Sequence, residues 1–303
     1  MKKTASYLLV LICIIGINSL YAQNDNIKIS YKINKDNSVD ISYKKRLPGS
    51  YYIKLKFTKL TNSYPSDFEG VIKKSSGNLV KLRPVNKEKS IGFSYRTTSR
   101  IGVPNPKVDS LITYSLPFKK GKKITIFEAF NVNERYLKED NPSNWKSYVV
   151  KSKTPDTLYS MRKGIVIELT NEFVTDTIVD KSFTSKRNSV IVEHEDGTYT
   201  SYKGLKKNSM FVKLGQTVYP QTKLGVMDIL NKDGYRCSFT VYYVKDSEAF
   251  EYEYITPNFL TEKGVDKLIS EKEYKVIFNE ELLLQEFTRR EKKKYKKEPS
   301  KFN

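Results

Sequence analysis

Short runs of alternating apolar residues, separated by turn residues, recur through this 303-residue chain and are densest at 188–228. Val190, Ile191 and Val192 read as a strand, Glu195-Asp196-Gly197 as its turn, and residues 198–202 as a second alternating run. A polar loop at 206–209 leads to a short run at 210–214, which closes on Gly215-Gln216. Two more short segments follow, at 217–220 and 223–226. Runs of strand length with glycine at the corners predict a compact antiparallel β unit rather than a helix.

The same grammar holds upstream. Ile27, Ile29, Tyr31 and Ile33 alternate, a polar turn at 35–38 reverses the chain, and Val39, Ile41 and Tyr43 alternate again, which predicts a hairpin. Pro48-Gly49 breaks the run, and Tyr51, Ile53, Leu55 and Phe57 begin another strand. Further strands are expected around 79–82, 91–95, 111–116 and 123–127, with turn residues between them. This spacing suggests an immunoglobulin-like β-sandwich, although the Cys-Trp-Cys pattern of true immunoglobulin domains is absent. The 13% aromatic content, with 22 tyrosines, suits strands and supplies a core. The polar, proline-containing stretch at 131–145 reads as a boundary loop.

Residues 1–22 read as a secretory signal: Lys2 and Lys3, an apolar run at 7–17, then small or polar residues before Gln23. The apolar run is short for a transmembrane span. Cleavage would remove Cys13 and leave Cys237 alone, with no intrachain disulfide available; it reads as a small buried hydrophobe. The formal charge of +20 favours polyanions, which for an exported protein means envelope polymers or anionic lipid before nucleic acid.

One ordered set of segments carries a family resemblance: a strand ending in His194, an acidic-Gly turn, Tyr202-Lys203-Gly204-Leu205, Val212-Lys-x-Gly-Gln-x-Val218, and Leu224-Gly225. With Thr157-Leu158-Tyr159 to Ile167 before it and 235–244 after it, this stretch resembles the lysostaphin and LytM type of zinc endopeptidase, which cuts peptidoglycan cross-bridges. The resemblance covers about a third of the chain. It implies a duplicated-hybrid-motif β fold over 145–245. The family's zinc is held by a His-x-x-x-Asp pair and by the last histidine of a His-x-His; two other histidines handle protons and transition-state charge.

Carried over position by position, the resemblance puts Trp145 and Val149 at the His-x-x-x-Asp pair, Gly204 at the histidine of Tyr-x-His-Leu, and Arg236 and Ser238 at the His-x-His. Every metal and proton-transfer position has changed. Composition points the same way: a catalytic zinc commonly takes three protein ligands from His, Cys, Asp and Glu, and this chain has one histidine. His194 reads as a strand residue beside a turn rather than a ligand. Glu193 and Glu195 would share a strand face and read as solvated surface, with nothing visible to raise a carboxylate pKa. Phosphate-binding loops, nucleophile elbows and dinucleotide fingerprints are absent. The expectation is a pseudo-peptidase with no cofactor, its vestigial groove lined by Tyr202, Arg236 and Ser238.

The last sixty residues exceed what the family needs. Glu273 to Phe278 looks like a strand, and Asn279 is a plausible N-cap for a helix that carries Leu283, Leu284 and Phe287 on its packed side. Arg289, Arg290, Lys292, Lys293, Lys294, Lys296 and Lys297 make its end basic, a solvated terminus or a surface for anionic polymer or membrane.

The sequence thus predicts an all-β exported protein: a sandwich over 23–144, a LytM-like antiparallel β domain over 145–245, and an extension with a C-terminal helix over 246–303. The expected role is non-catalytic, binding peptidoglycan or a cell-wall hydrolase in the periplasm or outside the cell, without nucleic acid. An active metalloendopeptidase with displaced ligands and a purely structural envelope module remain the alternatives.

Overall fold

The computed structural model describes residues 26–64, 66–129, 144–175, 184, 186–231, 234–249 and 251–302. The predicted signal at 1–22 lies outside these. No helix among the described residues is long and apolar enough to cross a membrane.

The N-terminal sandwich is built from six strands: β1 (Ile27–Ile33), β2 (Val39–Lys45), β3 (Tyr51–Thr61), β4 (Phe68–Ile72), β5 (Ser76–Leu82) and β6 (Gly92–Ile101). They form two three-stranded antiparallel sheets, ordered β1-β2-β5 and β4-β3-β6. Alternation makes the layers: Val39 and Ile41 of one sheet and Leu55 of the other are buried in a shared cluster.

The remaining strands are β7 (Thr113–Tyr114), β8 (Lys123–Glu128), β9 (Tyr148–Ser152), β10 (Thr157–Tyr159), β11 (Gly164–Thr170), β12 (Asn188–Glu193), β13 (Tyr199–Leu205), β14 (Thr217–Val218) and β15 (Lys223–Val226). Then come β16 (Ile229–Asn231), β17 (Gly234–Val244), β18 (Tyr252–Ile255), β19 (Asn258–Thr261), β20 (Gly264–Asp266) and β21 (Lys272–Lys275). A ten-stranded sheet, with the path β14-β11-β12-β13-β17-β9-β8-β21, dominates the molecule, and β16 and β18 pair with β17. Smaller sheets, β10-β15 and β20-β19-β7, complete this part.

Two strands expected in the sandwich sit elsewhere. β8 pairs with β9 and β21, and β7 runs parallel to β19. Their apolar side chains explain it: Tyr114, Ile124 and Ile126 are buried in the large cluster with Tyr148, Tyr202 and Phe239, not in the sandwich core. The C-terminal extension likewise supplies strands to the second half rather than standing apart.

The chain ends in two helices, α1 (Glu280–Leu284) and α2 (Arg289–Lys297), and a 3-10 turn, Pro299–Phe302. Asn279 caps α1, accepting from Leu282 N–H at 2.9 Å. Thr288 and Glu291 form a capping box that starts α2 afresh, so the single helix expected from sequence is broken at 285–288.

Candidate functional site

The β12–β13 hairpin is the local scaffold. Asp196 Oδ1 accepts from Thr198 N–H at 3.1 Å and from its hydroxyl at 2.7 Å, while Gly197 adopts φ +83°. That Asx turn is why the Asp-Gly pair reverses the chain here. Beyond it, Tyr202 pairs with Val190 on one side and Phe239 on the other, and all three are buried.

Four of the five positions matched to ligands and catalytic histidines come together on neighbouring strands. Val149 on β9 pairs with Ser238 on β17, and Ser238 pairs with Lys203, next to Gly204, on β13. Trp145 lies just before β9, its ring 4.6 Å from that of Tyr254 and its indole N–H donating to Ala129 O at 3.3 Å. Val149 is buried, and Arg236 and Ser238 are half-buried.

Gly204 holds the detail that sequence missed. Its φ is +93°, and a Cβ there would collide with Arg187 Nη2 and with the backbone oxygen of Arg236. The guanidinium of Arg187 lies across the glycine and donates to that same Arg236 oxygen. Burial pushes the Arg187 pKa down to about 10. The cavity lined by Gly204 and Arg187 measures about 10 Å³ among the described residues, room for roughly one water. A glycine between Lys203 and Leu205 was the available signal: a missing side chain on a paired strand often marks close approach by another group.

The groove expected at Tyr202, Arg236 and Ser238 needs correction at Tyr202. That ring is wholly buried, and its hydroxyl accepts from Met161 N–H at 2.8 Å. It is a core residue because the β13 alternation points it, with Val190 and Phe239, at the inner side of the sheet. Arg236 Nε is buried with no partner among the described residues.

His194 is 2% exposed with both ring nitrogens engaged: Nδ1 lies 2.7 Å from Lys163 O, and Nε2 lies 2.7 Å from Thr200 Oγ1. Burial first, then the nearby Arg162 charge, pushes its pKa down to about 3, so the ring is neutral. Neither nitrogen offers a free lone pair to a metal. Glu193 and Glu195 do not continue one strand face, because β12 ends at Glu193 and Glu195 belongs to the turn. Glu193 is buried and accepts from Ser50 N–H at 2.8 Å, while Glu195 is exposed beside Lys73. Among the described residues no group of three His, Cys, Asp or Glu could hold a metal ion. Cys237 is fully buried, and burial pushes its thiol pKa up to about 12.

A much larger cleft, about 690 Å³, opens at the turn end of the hairpin, between the sandwich, the β12–β13 turn and the C-terminal segment. Its floor is Arg162, 2% exposed, which donates to Tyr114, Asp196, Thr198 and Glu286. Sequence gave no warning of this residue, a single arginine among many.

No family model matches the chain, and no curated protein matches it. Solved structures similar to it include a SpoIIQ–SpoIIIAH pore-forming complex, at 19% identity over 44% of this chain and 85% of that one, with TM-score 0.28. A putative M23 peptidase from Pseudomonas aeruginosa is 12% identical over 69% and 90%, with TM-score 0.30. A zinc-containing peptidase from Vibrio cholerae is 16% identical over 71% and 74%, also with TM-score 0.30.

Proposed function

We propose that this is a non-catalytic envelope protein with a LytM-like domain, which binds peptidoglycan or a wall-remodelling partner. The observation that carries the reading is Arg187 lying over Gly204, where the resemblance expects a catalytic histidine. Val149, Arg236 and Ser238 at the other matched positions support it, as does the doubly engaged His194. With a guanidinium where a proton-transfer histidine would stand, and valine and serine at two of the matched ligand positions, the reading leaves adhesion as the retained role.

The contact surface we favour is helix α2 rather than the strands around Tyr202. Arg289, Arg290, Lys292, Lys293, Lys294, Lys296 and Lys297 are all exposed, a dense positive face suited to carboxylate- or phosphate-bearing envelope polymer. The test is co-sedimentation of the mature protein with purified sacculi. Truncation is the wrong variant, because Phe302 is buried and Tyr295 packs against Phe287. Lys292→Gln, Lys293→Gln, Lys296→Gln and Lys297→Gln together remove charge without emptying that cluster. Reduced, salt-sensitive sedimentation supports the reading; sedimentation unchanged by charge removal moves the contact off α2, and no sedimentation at all moves the partner from wall to protein.

A further inference from the structure

The 690 Å³ cleft runs against the charge of the molecule. The chain carries 54 Lys and Arg against 34 Asp and Glu, yet six carboxylates and three cations line the cleft. All three cations are already engaged. Arg162 is bound by Asp196 and Glu286, Lys163 by Glu291 at 2.7 Å, and Lys73 reaches Glu195 at 3.9 Å. Among the described residues Glu193 and Asp109 form no ion pair along the wall, and Asp109 Oδ1 accepts from Leu111 N–H at 3.0 Å.

Glu193 is the informative one. It is 7% exposed, yet only Oε2 is engaged by a described hydrogen bond, that from Ser50 N–H; the side chain lines the cleft. Lys45, buried behind it, gives its ammonium to Gly49 O while its charge and that of Glu193 attract, so Glu193 is balanced from behind and not from the cleft side. Ile112 and Ile165 supply apolar wall, Ile165 with 42% exposure. The carboxylates are spread along the cleft, and no three converge on a point where a metal ion could sit among the described residues. That arrangement suits an extended cation with an apolar stem rather than a compact divalent ion.

We propose that this cleft binds a lysine-type side chain of a peptide, its primary ammonium between Glu193 and Asp109 and its methylenes against Ile112 and Ile165. The proposal stands apart from the adhesion reading, since it uses neither α2's basic face nor the Gly204 site.

The experiment is titration of the full mature chain with an acetyl-Ala-Lys-Ala amide tripeptide and with its Nε-acetylated form, followed calorimetrically at low ionic strength. The free ammonium is expected to bind saturably, and acetylation to weaken binding about tenfold, the loss of one charge-assisted hydrogen bond. Asp109→Asn and Glu193→Gln should each weaken the free peptide and leave the acetylated one unchanged. Gln keeps an acceptor for Ser50 N–H, and Asp109 is exposed, so at least one variant will fold. Equal binding of the two peptides, no saturation, or binding indifferent to both substitutions overturns the proposal. A stem peptide containing D-residues, compared with its all-L counterpart, then tells a wall peptide from a protein tail. The variant with Lys292, Lys293, Lys296 and Lys297 changed to Gln should bind the free tripeptide as the unaltered protein does, which separates failure here from failure of the adhesion reading.

Discussion

Arg162 and Glu286, 124 positions apart, form a buried two-pronged pair: Nε and Nη2 donate to Oε2 and Oε1 at 3.0 and 2.9 Å. The pair ties the turn between β10 and β11 to the segment joining α1 and α2. Lys163 reinforces it by donating to Glu286 O at 2.9 Å and to Glu291 at 2.7 Å, and Tyr219 OH donates to Glu291 at 2.9 Å. Around these bonds, Leu283, Phe287 and Phe302 form an apolar cluster. The basic tail is therefore docked at its root and exposed along its length.

Glu286→Ala leaves the Arg162 guanidinium buried with Asp196 as its remaining carboxylate. Breaking one side of a buried pair costs about 3 kcal/mol. Urea unfolding should register that loss, together with faster proteolysis beyond residue 279. An unchanged midpoint contradicts the docking role.

The pH dependence follows from His194. Its folded pKa, about 3, lies below the ordinary 6.5, so between those values the unfolded state holds the extra proton. Stability from this group is complete above pH 6.5 and is lost as pH falls towards 3. Lowering the pH from 7 to 5 should cost about 2 kcal/mol, and His194→Gln should flatten that slope. Glu291, held down to about 2 by Lys163 and Thr288 despite burial, adds a second loss only below its ordinary 4.5. Equal slopes for wild type and His194→Gln between pH 7 and 5 would contradict a buried neutral ring.

Under the proposed reading, placing a histidine at position 204 should not create a site. Gly204→His places a side chain at φ +93° against the Arg236 backbone, and both the conformation and the overlap are unfavourable. Together they should cost about 3 kcal/mol, read as a lowered midpoint in urea. Tolerance of that substitution would mean that Arg187 and β17 can yield, and that the centre is open.

Cys237 should be silent towards a thiol reagent at pH 8 in the native protein, since its thiolate is disfavoured by burial and its sulfur is inaccessible. One thiol per chain should appear on unfolding of a protein that begins after Ala22. Rapid native labelling would show that β17 opens.

The hairpin of β1 and β2 was legible from period-two alternation around a polar turn, with the buried face carried by Val39, Ile41 and Tyr43 of β2, whereas Tyr31 and Ile33 of β1 are exposed. The cap at Asn279 was legible from its local chemistry. The break at 285–288 was also written in the sequence, as Thr288-x-x-Glu291, but the run of helix formers around it masked the capping box. The place of β8 was not legible: a six-residue alternating strand fits either sheet, and only the partners of Ile124 and Ile126 decide. Nor was Arg187 legible, since the approach of a side chain from before β12 to a glycine on β13 is set by tertiary packing.

In the function proposed above, the site around Gly204 holds neither metal nor chemistry. The zinc content of the protein from Gln23 onward, after incubation with excess zinc and desalting, tests this, with muropeptide release from sacculi assayed on the same sample. Zinc far below one per chain and no released muropeptide are expected. Stoichiometric zinc with muropeptide release would contradict it.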